Sequence, residues 1–328
     1  MTLPLPQELY IEVTNRCNSL CQTCVRTFHT REPLRDLALH EFRGLVDQVP
    51  LLRRVVLHGV GEPLLNRDLP AIIAYLKRRA EPPHVLFNSN AILLTPQRRG
   101  ALINAGLDEF RISTDAAHAA LYARIRGVDA FDQMVDNVTA FARRIERTGS
   151  GPRLSLWLTA IQENITDLPE LVRLAHRMGV REVYVQRLVY FGQGVAQQDQ
   201  ALYRAMQAAE EEFLGEAETL AEDLGVTFQA SGATTPRDSL LSSDGDHRPW
   251  SQCRRPWSLM YVSANGNVLP CCLSPFTTRD YEGLILGNAF QVPLAEIWNG
   301  AAYQQFRVAL HSDTPWESCD RCGVAWSL

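Results

Sequence analysis

The first two-thirds of the chain alternates short apolar runs with longer stretches of helical character. Residues 9–13, 54–58, 84–88, 109–113, 154–159 and 182–188 are rich in Val, Leu, Ile and aromatic side chains and read as strands. Between them, residues 38–48, 69–79, 96–105, 131–147 and 168–178 read as helices. Thr95-Pro96 and Asp167 are helix starts, and Gly106 and Gly179 are stops. This alternation predicts an α/β fold with a parallel sheet, open or curled into a partial barrel. Functional residues in such folds gather at the carboxyl ends of the strands.

Residues 190–250 break the pattern. Phe191-Gly192-Gln193-Gly194 opens a loop, 199–223 reads as one long acidic helix, and 226–230 as a further strand. Residues 231–249, rich in Ser, Thr, Asp, Gly and Pro, read as a linker. Beyond it, Tyr261, Val262, Val268 and Leu269 form the arms of a hairpin turned by Asn265-Gly266, and 294–310 reads as a helix. Three regions are expected: a core at 1–190, a helical and loop connection at 191–250, and a small C-terminal domain at 251–328.

Composition narrows the class. The chain has 328 residues, 46% hydrophobic and 21% charged, which suits a globular protein of one large and one small domain. A net charge of −5 gives no general pull toward nucleic acid or anionic membrane. There is neither an apolar run long enough to span a membrane nor a signal peptide, so a cytoplasmic location is expected. The eight cysteines then read as ligands or reactive thiols rather than disulfides. Three fall within residues 17–24 and five beyond residue 250, which argues for two separate metal sites.

The first group is Arg16-Cys17-Asn18-Ser19-Leu20-Cys21-Gln22-Thr23-Cys24, a loop that follows the first strand. Three thiolates can hold three irons of a cubane and leave the fourth open for chemistry. A zinc loop or free thiols are the alternatives, although zinc prefers paired Cys-x2-Cys knuckles. The spacing and position resemble the radical S-adenosylmethionine (SAM) family. The resemblance implies a partial (β/α)6 TIM barrel, a 4Fe–4S cluster on Cys17, Cys21 and Cys24 with one open iron, and SAM bound there. It also implies reductive cleavage of SAM to a 5′-deoxyadenosyl radical, with electrons from a flavodoxin- or ferredoxin-type donor. Thr23 departs from the aromatic residue that many members carry before the third cysteine.

The later strand ends carry the resemblance further. His58-Gly59-Val60-Gly61-Glu62-Pro63 resembles the family's Gly-Gly-Glu-Pro motif, with Val60 in place of the first glycine. By that resemblance Gly59 and Gly61 bring backbone to the SAM amino group, and Glu62 orders the loop. Asn90, after the third strand, matches the ribose-contacting segment. Ser113, after the fourth, matches its Ser-x-Asp segment, with Arg126 as a carboxylate partner for SAM. Gln186, on the sixth strand, lies where adenine is approached. A plain turn is the alternative for the glycine motif and for Asn90, and a surface arginine for Arg126.

The C-terminal cysteines follow Cys253-x12-Gly266-x4-Cys271, with Cys272 adjacent and Cys319-x2-Cys322 near the end. Four thiolates make a closed site, for zinc or for a second cubane. The pattern resembles a shortened, twitch-like form of the SPASM extension of radical SAM enzymes. That resemblance implies a small iron–sulfur domain of β-hairpin plus helix. It also implies one auxiliary 4Fe–4S cluster on Cys253, Cys271, Cys319 and Cys322, and leaves Cys272 as a spare or a substrate-side thiol.

The start of the first strand near Leu9 leaves no room for an N-terminal leader-peptide domain, which favours a small-molecule substrate. Length and the single auxiliary site resemble members acting on sugars and nucleosides in antibiotic biosynthesis, the cytosylglucuronate decarboxylases among them. A carbohydrate or nucleoside is therefore expected, with lyase or oxidoreductase chemistry: decarboxylation, oxidation or epimerisation. Arg111 and Arg187 are candidate anchors for a sugar acid, and Cys272 is a further catalytic candidate. Two alternatives stand beside this: a peptide or protein maturase of the ribosomal-peptide or sulfatase type, and a non-catalytic iron–sulfur or zinc scaffold.

Overall fold

The computed structural model describes residues 2–202, 206–231, 235–241, 250, 253–276 and 281–320. Seven parallel strands follow one another: β1 (Glu8–Ile11), β2 (Arg54–Val56), β3 (His84–Ser89), β4 (Glu109–Ser113), β5 (Arg153–Ala160), β6 (Glu182–Arg187) and β7 (Thr227–Ala230). Helices connect them: α1 (Leu39–Val46), α2 (Leu69–Lys77), α3 (Pro96–Ala105), α4 (Ala119–Arg126), α5 (Phe131–Thr148), α6 (Leu168–Met178) and α7 (Ala208–Leu224). The C-terminal part adds α8 (Pro236–Leu241), α9 (Arg255–Ser258), β8 (Leu259–Val262), β9 (Asn267–Leu269) and β10 (Gly287–Asn288). Three short helices follow, α10 (Leu294–Asn299), α11 (Ala301–Leu310) and α12 (Glu317–Asp320). All ten strands form one sheet, in the order β10-β9-β8-β1-β2-β3-β4-β5-β6-β7. The fold is a partial (β/α)6 barrel carrying a hairpin and helices at its C-terminus.

The alternation of side chains along each strand makes the barrel. Leu9, Ile11, Val55, Val85, Phe87, Phe110, Ile112, Leu156, Val183 and Val185 share one face, fully buried in the main apolar core. The residues between them turn inward: Tyr10, Val56, Asn88, Arg111, Trp157, Tyr184 and Gln229 all border a single cavity. A flat sheet would spread these positions out; only a curled one brings them to one space. On the outer side Phe110 stands edge-on to Phe87 and Phe141, at 5.1 and 5.7 Å between centroids, pinning α5 to the sheet. Replacing Phe110 with alanine would cost about 3–5 kcal/mol in lost contact and cavity.

Local signals account for the element ends. Thr95 caps α3 by accepting from the Arg98 N–H, and Gly106, at φ +83°, closes it. Asp167 does not cap α6; its carboxylate instead accepts from the Ala117 N–H at 3.0 Å and ties the β4 loop to the β5 loop.

Two expected helices are corrected. The acidic helix begins at Ala208 rather than 199, because the Glu210 carboxylate accepts the Gln207 N–H at 2.7 Å and sets the start there. The stretch 294–310 is two helices, broken at Gly300, whose backbone is extended (φ −68°, ψ 163°). Helix α4, unread in the sequence, ends at Gly127. No helix among the described residues is long and apolar enough to cross a membrane.

Candidate active site

The inward side chains enclose a cavity of about 460 Å³. It has three levels. At the floor, the first residues of successive strands form a ring of alternating charge. Arg54 pairs with Glu8 at 2.7 Å, Glu109 with Arg111 at 2.6 Å and Arg153 at 3.1 Å, and Arg153 with Glu182 at 3.0 Å. Burial alone would raise the Glu109 carboxyl, but the hydrogen bond and charge of Arg111, with Arg153, pull it down to about 2. Above the floor Trp157 stacks on Tyr184, 3.9 Å between centroids, with the Arg111 guanidinium 4.2 Å from the Trp157 ring centre. At the top lie the carboxyl ends of the strands and the cysteine loop.

Cys17, Cys21 and Cys24 all border the top of the cavity. The loop is held from two sides. Asn90 Nδ2 donates to Asn18 Oδ1 and Ser19 Oγ at 2.9 and 3.0 Å. From α4, the Ile125 carbonyl accepts the Gln22 N–H at 2.7 Å. Gly127 lies so close that a Cβ there would overlap the Leu20 carbonyl. Burial pushes the Cys21 thiol up to about 12, against the pull of the Arg126 charge, and raises Cys17 and Cys24 as well. Among the described residues no three His, Cys, Asp or Glu side chains converge as ligands of a single ion do. A cubane makes a different demand, since each thiolate meets a separate iron and the sulfurs stand apart. The donor set and its spacing fit a cluster.

The loop after β2 is set by two buried carboxylates. Glu62 accepts from the Leu64 N–H, Ser89 Oγ and the Asn90 N–H, at 3.0, 2.7 and 2.8 Å, which locks the β2 and β3 loops together. Glu12, at the end of β1, accepts from the Val60 N–H at 2.7 Å and the Ala264 N–H at 3.1 Å. Burial pushes the Glu12 carboxyl up to about 7, the two N–H donors opposing. A Cβ on Gly59 would overlap Glu12, and one on Gly61 would overlap the Thr14 carbonyl. Both positions therefore demand glycine. Glu12 was not singled out in the sequence; an acid interrupting an otherwise apolar strand was the available signal.

The structure brings Gly59, Gly61, Glu62, Asn90, Ser113, Arg126, Gln186, Arg111 and Cys272 to this one cavity. Arg126 is buried, pairs through Nη1 with Asp115 Oδ2 at 2.8 Å, and leaves Nε without a hydrogen bond. Asp115 and Ala91, at φ +60° and +56°, hold the strained left-handed backbone that places these loops. Asn90 spends its amide on the cysteine loop and on the Ile92 N–H, so it acts as a brace. Arg187 is the exception. The period of two along β6 that turns Tyr184 and Gln186 inward turns Arg187 outward, where it donates to the Ser239 carbonyl. Arg111 does face inward, but Glu109 occupies it.

Unforeseen neighbours complete the lining. His58 stacks on Phe276 at 5.9 Å, and burial, then Arg111, lowers its imidazole to about 4, so it is neutral at pH 7. Tyr10 and Arg255 lie beside Cys272, whose thiol burial pushes up to about 12. In the C-terminal part, Cys271 Sγ lies 3.2 Å from Ser274 Oγ, and Cys253 is near enough to Cys271 for their charges to interact. Cys319 packs beside the cluster of Tyr261, Leu269 and Phe306. Cys322 lies outside the described residues.

A family model described as the Radical SAM superfamily matches residues 11–175, half of the chain. The chain belongs to the radical SAM superfamily. A second model, SPASM, described as an iron–sulfur cluster-binding domain, matches residues 253–323 of this radical SAM protein. Curated relatives include the PqqA peptide cyclases of Granulibacter bethesdensis and Methylobacterium sp., 25% and 27% identical over 99% of this chain and 82% and 81% of theirs. Among solved structures, Streptococcus suis SuiB bound to S-adenosylmethionine covers 98% of this chain and 72% of its own at TM-score 0.69 and 16% identity. Native anSMEcpe with bound AdoMet covers 98% and 88% at TM-score 0.66 and 13% identity. At these identities both show the fold alone. The radical SAM domain binds SAM and a 4Fe–4S cluster, and the SPASM domain binds iron–sulfur.

Proposed function

We propose that the protein is a peptide-modifying radical SAM enzyme, abstracting hydrogen from a residue that a peptide inserts into the barrel. The observation that carries this is the set of relatives. Proteins named PqqA peptide cyclase match 99% of this chain and more than four-fifths of their own length. The carbohydrate or nucleoside substrate, and its antibiotic-pathway setting, find no support among them. The peptide alternative replaces that reading.

When bound, the cluster and SAM supply a 5′-deoxyadenosyl radical. The chain's own residues do the rest. Cys17, Cys21 and Cys24 hold the cluster. Gly59 and Gly61 present backbone to the SAM amino group, and the Arg126 guanidinium, paired with Asp115 at the cavity wall, supplies positive charge for the carboxylate. Ser113 and Gln186 border the part of the cavity left for ribose and adenine. The Trp157–Tyr184 stack and neutral His58 form the wall against which a substrate side chain rests. Cys253, Cys271, Cys319 and Cys322 hold the auxiliary cluster. Cys272 faces the cavity instead.

Reconstituted protein, SAM and dithionite, with short peptides translated from the reading frames flanking the gene, should yield 5′-deoxyadenosine and a peptide altered in mass. Turnover with sugar acids or nucleosides and none with the peptide would overturn the reading.

A further inference from the structure

A second cavity, of about 190 Å³, lies on the far side of the cysteine loop. Among the described residues it shares only Val60 with the reaction cavity. The segment after the cysteines and the C-terminal residues Tyr261 and Tyr281 form its walls. Leu20 and Leu34 border it while 56% and 57% exposed, so they mark its mouth.

Arg31 is the anomaly in this cavity. Its Nε and Nη1 are buried and carry no hydrogen bond. The guanidinium lies 4.8 Å from the centre of the Tyr281 ring, which supplies some attraction but accepts nothing from the two nitrogens. Two carboxylates border the same space, yet both are engaged elsewhere. Glu12 accepts the Val60 and Ala264 N–H groups. Glu32 accepts from Ser263 Oγ, Asn265 Nδ2, Asn267 Nδ2 and the Tyr281 hydroxyl, at 2.7–2.9 Å. Arg31 is half-buried, and the exposed Glu282 attracts it through space but accepts nothing from Nε or Nη1, so two buried N–H donors stay unsatisfied at the cavity wall. Glu32 in the wall opposes a doubly charged group such as phosphate more strongly than a single carboxylate, so the singly charged group suits the space better. The exposed leucines at the mouth suit an apolar neighbour on the same ligand.

We propose that this cavity is a docking subsite, outside the reaction cavity, for a carboxylate side chain with an adjacent apolar residue on the peptide substrate. The inference rests on the peptide reading above. A peptide held here lies against the back of Val60, whose N–H belongs to the Glu12 clamp on the SAM loop.

The test uses reconstituted full-length protein and two fluorescein-labelled synthetic peptides of about twelve residues, with Leu-Glu-Leu or Leu-Gln-Leu at the centre, read by anisotropy. The glutamate peptide should bind at least about tenfold tighter, and that gap should vanish in Arg31→Gln. Iron content and thermal midpoint verify that the variant is folded. Leu34→Asp, at an exposed position, should weaken the glutamate peptide without touching the fold. Equal binding of the two peptides by the wild type, or a gap that persists in Arg31→Gln, overturns the subsite. A normal Arg31-dependent gap with no peptide modified under SAM and dithionite instead overturns the catalytic reading and leaves the binding result standing.

Discussion

The floor and the top of the barrel are built from the same strands by the same inward alternation, yet they differ in how their polar groups are used. At the floor each charge meets its opposite on the next strand: Glu8 with Arg54, Glu109 with Arg153, Arg153 with Glu182. At the top, thiols, glycine backbone, Ser113 and one edge of the Arg126 guanidinium face the cavity, and Arg126 Nε has no partner. Inward polarity alone therefore does not mark a site. A charged group that its neighbours complete closes the barrel; thiols and backbone that no neighbour completes are available to a ligand.

Perturbing each end should separate chemistry from stability. The largest effect belongs to the triple change Cys17→Ala, Cys21→Ala, Cys24→Ala, which should reduce 5′-deoxyadenosine to background. Iron should fall while the C-terminal share remains. Retained cleavage would break the assignment of the top. Gly61→Ala drives a methyl into the Thr14 carbonyl. It should weaken SAM binding about a hundredfold by calorimetry and cost about 3 kcal/mol in urea unfolding.

Glu109→Gln leaves Arg111 and Arg153 without their shared carboxylate and should cost about 3 kcal/mol, with SAM cleavage by the folded fraction preserved. Because the folded-state value of about 2 lies below the usual 4.5, that stabilisation is complete above about pH 4.5 and fades as pH falls toward 2. Loss of cleavage in the folded variant would make the floor part of the site.

Glu12 titrates in the opposite sense. Its value rises from 4.5 to about 7 in the folded protein, so the stabilisation is full below about pH 4.5 and is lost as pH rises through 7. Wild type should lose about 3 kcal/mol relative to Glu12→Gln between about pH 4.5 and 8, read from paired urea melts. Parallel curves would place Glu12 in a wetter setting. The smallest effect is expected of Cys272→Ala, which should leave iron content unchanged where Cys319→Ala lowers it.

Much of this arrangement was legible in the sequence. All six expected strands begin within one residue of their observed starts, and α3 and α6 match at both ends, because short apolar runs punctuated by Gly and Pro are local signals. The cysteine loop and the two glycines were legible for a related reason: their spacing is contiguous. What escaped was pairing at long range. Nothing local shows that Arg111 is answered by Glu109 at the floor and Arg126 by Asp115 at the top. The outward turn of Arg187 follows from β6 register, which one extra residue would have reversed. The unsatisfied Arg31 depends on the hairpin far along the chain.

The Glu12 clamp joins residues 252 positions apart, and β8 is the parallel partner of β1 on the side away from β2. β1 is thus completed by a strand that lies about 250 residues further along the chain. At ordinary synthesis rates of about 5–20 residues per second, β1 waits roughly 10–50 s for its outer partner. During that interval one edge of the strand leading into the cysteine loop stands bare, and Glu12 has the Val60 N–H but not the Ala264 N–H to accept. A message truncated before residue 259 would yield a chain that keeps Cys17, Cys21 and Cys24 but leaves the outer edge of β1 without its partner.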